Sequence, residues 1–207
     1  MNYQFLLLTI MLTSISCSFA PFTSTKTART LGDKNYEITT GLSPAPSFVL
    51  GRGFADNFDA GILIEKQFTP QLSLWGKYAF KNGADREFSF ATYGGIFQAI
   101  DFTTTKGLFL APIVSYQVGW FEIYLVPRYN YVHWDAGKLN SDKSDDSILD
   151  NVEWESESFS YYQLTLGVNF WFSQGFGLNL TGQYWYLPST DAEMKEVIPG
   201  IELLWRF

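Results

Sequence analysis

The chain has one histidine, His133, set in the run Arg128-Tyr129-Asn130-Tyr131-Val132-His133-Trp134-Asp135. On an extended strand side chains alternate, so Tyr131, His133 and Asp135 share a face. An imidazole beside a carboxylate can act as a general base, drawing a proton from a hydroxyl that attacks an ester. The hydroxyl is the missing part. Position 135 is acidic, and a nucleophile joins this group only if Ser141 swings in from the following loop. The plainer reading is one polar ring in an aromatic belt, and no catalytic residue is assigned.

A second cluster follows directly. Between His133 and Phe159 stand Asp135, Asp142, Asp145, Asp146, Asp150, Glu153, Glu155 and Glu157, against Lys138 and Lys143. Exposed carboxylates at this density collect divalent cations weakly. The ordered ligand spacing and turn glycine of an EF-hand are absent, so no tight metal site follows. A solvated loop kept soluble by its charge explains the same residues. Nothing in the chain asks for a cofactor.

The elements that would position these groups are strands. Tyr162, Leu164, Leu166, Val168, Phe170 and Phe172 alternate with Gln163, Thr165, Gly167 and Asn169. After Ser173-Gln174-Gly175 the pattern resumes, with Leu178, Leu180, Gly182, Tyr184 and Tyr186 against Asn179, Thr181 and Gln183. Two alternating runs joined by a tight glycine turn make a hairpin. Leu108 to Tyr116 and Phe121 to Tyr131 form another around Gly119-Trp120, and further faces begin at Leu72, Phe58 and Tyr36.

Composition says which side is wet. Aromatics make up 18% of the 207 residues and charged residues only 17%, the reverse of a soluble surface. No apolar run after the N-terminus approaches the roughly 18 residues of a spanning helix. The polar faces carry mostly Gly, Ala, Thr, Asn and Gln, where the exterior of a soluble barrel would carry many Lys and Glu. The apolar faces therefore point to lipid and the polar ones to a lumen. The net charge of −7 argues against nucleic acid as a partner.

These patterns predict an all-β protein of one domain, an antiparallel up-and-down transmembrane β-barrel over residues 35–207. An even strand count with both ends on the short-turn side requires three strands in 35–66 and a tight turn at Ala55-Asp56-Asn57, which gives ten strands. Eight follows if Ser47–Phe54 and part of 87–100 are loop. A barrel of this width has an interior that side chains can fill. Its expected lumen charges are Glu37, Asp59, Lys77, Glu122, Arg128, Glu202 and Arg206. Both signs are present, so they can pair across a plugged interior or line a narrow path for small solutes.

Pro112 and Pro127 are the least expected strand residues. With paired positions continued outward from Gly119-Trp120, the two lie opposite each other, and neither has an N–H for the ladder. The wall is expected to have a local gap there, read either as a tolerated bulge or as a lateral opening for an acyl chain.

The first twenty residues carry no charge and hold the apolar stretch Phe5–Leu12, which reads as a signal peptide over 1–20. Residues 21–34 lack periodicity and read as a periplasmic lead-in. Cys17 is the only cysteine. It is either the acylated first residue of a lipoprotein or is lost with the signal.

Several short pieces carry resemblances. Leu203-Leu204-Trp205-Arg206-Phe207, with Trp205 and Phe207 on one face, resembles the C-terminal insertion signal of bacterial outer-membrane barrels. That implies an outer-membrane address and contact with the barrel assembly machinery, outer-membrane lipids and lipopolysaccharide. Thr27-Ala28-Arg29-Thr30-Leu31-Gly32, Tyr36-Glu37-Ile38 and Asp56-Asn57-Phe58-Asp59 resemble small uncharacterised barrels of the same kind, some of which begin at an acylated cysteine. The proline pair resembles the proline-flanked gaps of the outer-membrane palmitoyltransferase. Arg128-Tyr129 followed by His133 distantly resembles the lipid A deacylase barrels, which carry a serine where Asp135 stands here. The expected role is structural or surface-binding through the acidic loop, then a narrow porin or lateral-gate transporter, and remotely a lipid-modifying enzyme.

Overall fold

The computed structural model describes residues 23, 26–43, 45–66, 70–99, 104–135, 156–186, 188 and 197–207. Ten antiparallel strands close into one barrel. They are β1 (Tyr36–Leu42), β2 (Pro46–Ala55), β3 (Phe58–Lys66), β4 (Pro70–Lys81), β5 (Phe88–Ala99), β6 (Thr104–Val118), β7 (Phe121–Asp135), β8 (Glu157–Trp171), β9 (Phe176–Tyr186) and β10 (Val197–Arg206). Each pairs with its neighbours in sequence, and β1 with β10 seals the cylinder through Glu37↔Arg206 to Leu42↔Ile201. The run at Ser47–Phe54 and most of 87–100 are strand, so the eight-strand alternative falls and ten stands.

The seal depends on the chain's last residue. The Tyr36 N–H donates to the Phe207 carbonyl at 2.8 Å, and the two rings stack 5.9 Å apart. At the same end lie the connections at 56–57, 82–87, 119–120 and 172–175. This is the turn end, and the other is the loop end. At the β6–β7 connection Gly119 has φ of +57°, the conformation a two-residue hairpin needs at its first central position.

Alternation sorts every strand into two environments. Leu72, Leu74, Leu110, Leu164, Leu166, Leu180 and Ile201 are exposed on the outside. Each would forfeit about 1.5–3 kcal/mol by facing water, whereas in hydrocarbon the same face is solvated. Inside lie Glu37, Asp59, Lys77, Asn130, Gln163, Thr165, Asn169, Asn179, Gln183 and Glu202, all buried. Polar inside and apolar outside is the pattern of a barrel built for a bilayer.

Candidate functional site

The lumen is not filled by wall side chains alone. The described residues 23 and 26–31, in the segment read from sequence as a periplasmic lead-in, run inside the barrel. Thr23 reaches Glu65, toward the loop end of β3, through both its N–H at 3.0 Å and its hydroxyl at 2.7 Å. Thr30 and Leu31 reach the β2–β3 turn at the opposite end. The segment therefore descends the lumen and turns over at the rim into β1.

Charge holds it there. Lys26 Nζ sits 2.8 Å from Glu37 Oε1 and 4.6 Å above the Trp75 ring. Glu37 also accepts from Arg206 Nε at 2.8 Å. Lys77 pairs with Asp59 at 2.9 Å and donates to the carbonyls of Thr27 and Arg29. Arg29 Nε lies 3.6 Å from Glu122, while its other nitrogens donate to the carbonyls of Gly83 and Ala84. Arg128 Nη1 donates to the Thr23 carbonyl at 3.1 Å. Among the described residues, the buried wall carboxylates Glu37, Asp59, Glu65, Glu122 and Glu202 face three wall cations, Lys77, Arg128 and the half-buried Arg206. Lys26 and Arg29 of the segment offset the excess of two negative charges. Buried carboxylates without such partners would be costly in this low dielectric.

The short motifs quoted above meet in space. Thr30 donates to the Asp56 carbonyl at 2.6 Å, and Asp59 accepts the Leu31 N–H at 3.0 Å. Gly53 of β2 packs against the Gly32 backbone so closely that a Cβ there would lie 1.8 Å from the Gly32 carbonyl oxygen. Lys34 N donates to the Gly53 carbonyl at 3.0 Å, and Gly53 N donates back to that of Asn35 at 2.9 Å. Thr27–Gly32 and the Asp56-Asn57-Phe58-Asp59 turn are thus two sides of one latch at the turn end.

Across the lumen a network of amides and hydroxyls takes over and reaches the Glu202 carboxylate. Tyr124 donates to Asn179 at 2.9 Å, Asn179 to Glu202 at 3.0 Å, Gln163 to Gln183 at 2.8 Å, and Gln183 to the Ser43 hydroxyl at 2.8 Å.

The two prolines mark a break in the wall. On β6 and β7, pairing runs to Leu110↔Tyr129 and resumes at Val114↔Leu125, so three consecutive pairs are missing, with Pro112 opposite Pro127 at the centre. The hairpin closes with Val118↔Phe121, and hydrogen-bonded pairs recur at every second position from there, which makes 112/127 such a pair. Both of its bonds are lost, because neither proline has an N–H.

His133 faces outward. Its Nδ1 lies 2.9 Å from the hydroxyl of Ser158, the residue opposite it on β8, and Lys106 is opposite on β6. Residue spacing within β7 gave no sight of Ser158, since only the β7–β8 register brings it there. A second hydroxyl pair, Tyr129 with Ser160 at 2.8 Å, lies further along the same two strands. Trp205 packs on Phe176 with ring centroids 5.7 Å apart. Residues 1–20 with Cys17, the acidic loop from 136 to 155 and Ser141 lie outside the described residues. Lys26, Arg29 and Glu65 went unmarked in the sequence: the first two sit in an aperiodic stretch, and Glu65 stands at a strand end.

Fold and lumen together define a closed ten-stranded barrel stoppered by its own N-terminal segment. No protein-family model matches the chain, and no curated protein sequence does. Among solved structures it is similar to the N-terminal β-barrel domain of Pseudomonas aeruginosa OprF, with 12% identity over 85% of this chain and 99% of that one, at a TM-score of 0.37. It is also similar to BamA from Haemophilus ducreyi lacking POTRA domains 1–3, with 15% identity over 79% of this chain but 35% of that one, at a TM-score of 0.42.

Proposed function

We propose that this protein is an outer-membrane barrel with a closed lumen, whose role is structural or surface-binding and is carried by its outer loops. The observation that supports this reading is that Thr23 and residues 26–31 are tied to Glu65, Glu37, Asp59, Lys77 and Arg128 inside the barrel. A path for solutes would have to displace the segment's two ion pairs with the wall, Lys26–Glu37 and Arg29–Glu122, and breaking a buried pair costs about 3–5 kcal/mol. By the usual orientation of bacterial barrels the turn end is periplasmic and the loop end faces outward. Lipids and lipopolysaccharide are then its lateral neighbours, and the barrel assembly machinery its partner during insertion. The acidic loop would hold divalent cations only weakly.

Solute entry into vesicles carrying the protein tests the reading. Small sugars and amino acids should enter no faster than into empty vesicles. Rapid uptake by the intact chain would make it a narrow porin and overturn the closed lumen.

A second reading, passage from the lipid side through the wall, is favoured by the three missing pairs around Pro112 and Pro127. It needs no open lumen.

A further inference from the structure

On the lumen side of the break stands Arg128, which pairs with Gln163 on β8 and lies opposite Ala111 only by continuation of the β6–β7 register, as one of the three missing pairs. Its side chain is 2% exposed. Phe109 stacks on the guanidinium at 4.0 Å, and the Thr23 carbonyl takes Nη1. That leaves Nε and Nη2, which have no hydrogen-bond partner among the described residues. The Nε–Nη2 edge is the fork that grips a carboxylate through two parallel hydrogen bonds. Two residues along the same face, Asn130 is fully buried with both side-chain amide atoms unpartnered. A fixed planar fork and a free amide, both buried, are costly to leave empty.

The outside of the seam is the complement. Pro112 and Pro127 face outward between exposed Leu110, Leu125 and Tyr129. The break spans four residues of strand, about 13 Å. The two proline carbonyls face each other across it with no N–H between them, in a zone where lipid offers no donor. Ala111, opposite Arg128, adds no bulk behind them. A slot of this length beside leucines suits one extended hydrocarbon chain.

We propose that the β6–β7 seam is a lateral binding site for a single-chain fatty acid. Its carboxylate lies on the Nε–Nη2 edge of Arg128 with Asn130 beside it, and its chain lies outward over Pro112 and Pro127. The head group enters from the bilayer and not along the lumen, so the segment holding Thr23 stays in place and supplies the third fixed point of the guanidinium. The proposal rests on the membrane placement given above and is independent of whether the lumen conducts.

The test uses protein extracted from membranes and placed in phosphatidylcholine nanodiscs, with laurate carrying ¹³C at the carboxyl carbon. A carboxyl resonance distinct from bilayer-dissolved laurate, saturating at one per barrel, is expected. Arg128→Gln should remove it, and Arg128→Lys, which keeps the charge without the fork, should weaken it at least tenfold. Methyl laurate should fail to compete. Pro112→Val with Pro127→Val restores both ladder donors and should slow or abolish uptake in a barrel that folds at least as well. Four results would each overturn the proposal: no saturable signal in the wild type, an undiminished signal in folded Arg128→Gln or Arg128→Lys, equal competition by methyl laurate or by lysophosphatidylglycerol, or unchanged uptake in the double valine variant. Should Arg128→Gln not fold, the lysine and double valine variants decide. Failure to enter the nanodisc at all would instead sink the membrane placement.

Discussion

Lys26 and Glu37 lie eleven residues apart and meet at 2.8 Å inside the barrel. Between them the chain leaves the lumen, turns over at the rim through Gly32 and enters the wall as β1. Glu37 is shared with Arg206 of the closing strand at 2.8 Å. One carboxylate thus ties together the stopper, the first strand and the last.

Removing that carboxylate should cost more than removing either cation. Glu37→Ala leaves Lys26 and Arg206 facing each other with no counter-charge, and a loss of about 3–5 kcal/mol is expected. Lys26→Ala leaves Glu37 paired with Arg206 and should cost clearly less. Urea unfolding in lipid vesicles, followed by tryptophan fluorescence, measures both, and equal losses would contradict the shared-carboxylate arrangement.

The latch can be sprung without touching a charge. A methyl at Gly53 would meet the Gly32 carbonyl oxygen at 1.8 Å. Overpacking of this kind costs about 1–3 kcal/mol, and it falls on the rim contact and not on the inner wall. Gly53→Ala should expose Lys26 and Arg29 to trypsin in a barrel that otherwise remains folded. Full protection in that variant would mean that the stopper does not depend on the latch.

Deleting residues 23–31 removes Lys26 and Arg29 and leaves the wall with two more buried carboxylates than cations. The truncated barrel should admit small solutes and prefer cations, read as a reversal potential across a planar bilayer under a salt gradient. A barrel still tight after deletion would show that wall side chains alone seal the lumen.

Restoring the ladder should strengthen the wall. Pro112→Val with Pro127→Val supplies the two N–H groups missing from one pair, worth about 1 kcal/mol each in water and more in lipid. Amide hydrogen exchange at the flanking residues 111, 113, 126 and 128 should slow markedly, while exchange on β3 stays unchanged.

The His133–Ser158 pair at 2.9 Å has the contact of a base with its nucleophile, yet the bland expectation is definite. His133→Ala and Ser158→Ala should each shift stability by no more than about 1 kcal/mol, and wild-type protein should release no fatty acid from lipid A-containing vesicles. Release that disappears in both variants would make this surface a hydrolase.

Much of the barrel was legible in the residue order. A period of two assigns each side chain to lipid or lumen without reference to any other strand, so Leu164 and Gln163 were sorted by position alone. The tight turns at Asp56-Asn57 and Gly119-Trp120 then fixed strand parity, and with it the opposition of Pro112 and Pro127. What no local pattern carries is contact between segments that share no period. Lys26 and Arg29 sit in an aperiodic stretch, and only closure of β1 on β10 creates a lumen whose uncompensated carboxylates draw them in. Ser158 became His133's partner through the β7–β8 register, and Arg128 acquired a free fork because Phe109 and Thr23 hold its other sides. Residue order alone sets which face each side chain takes, because alternation is a property of one strand. Which charges meet across the lumen was decided by the tertiary structure, because burial in low dielectric acts only once the cylinder has closed.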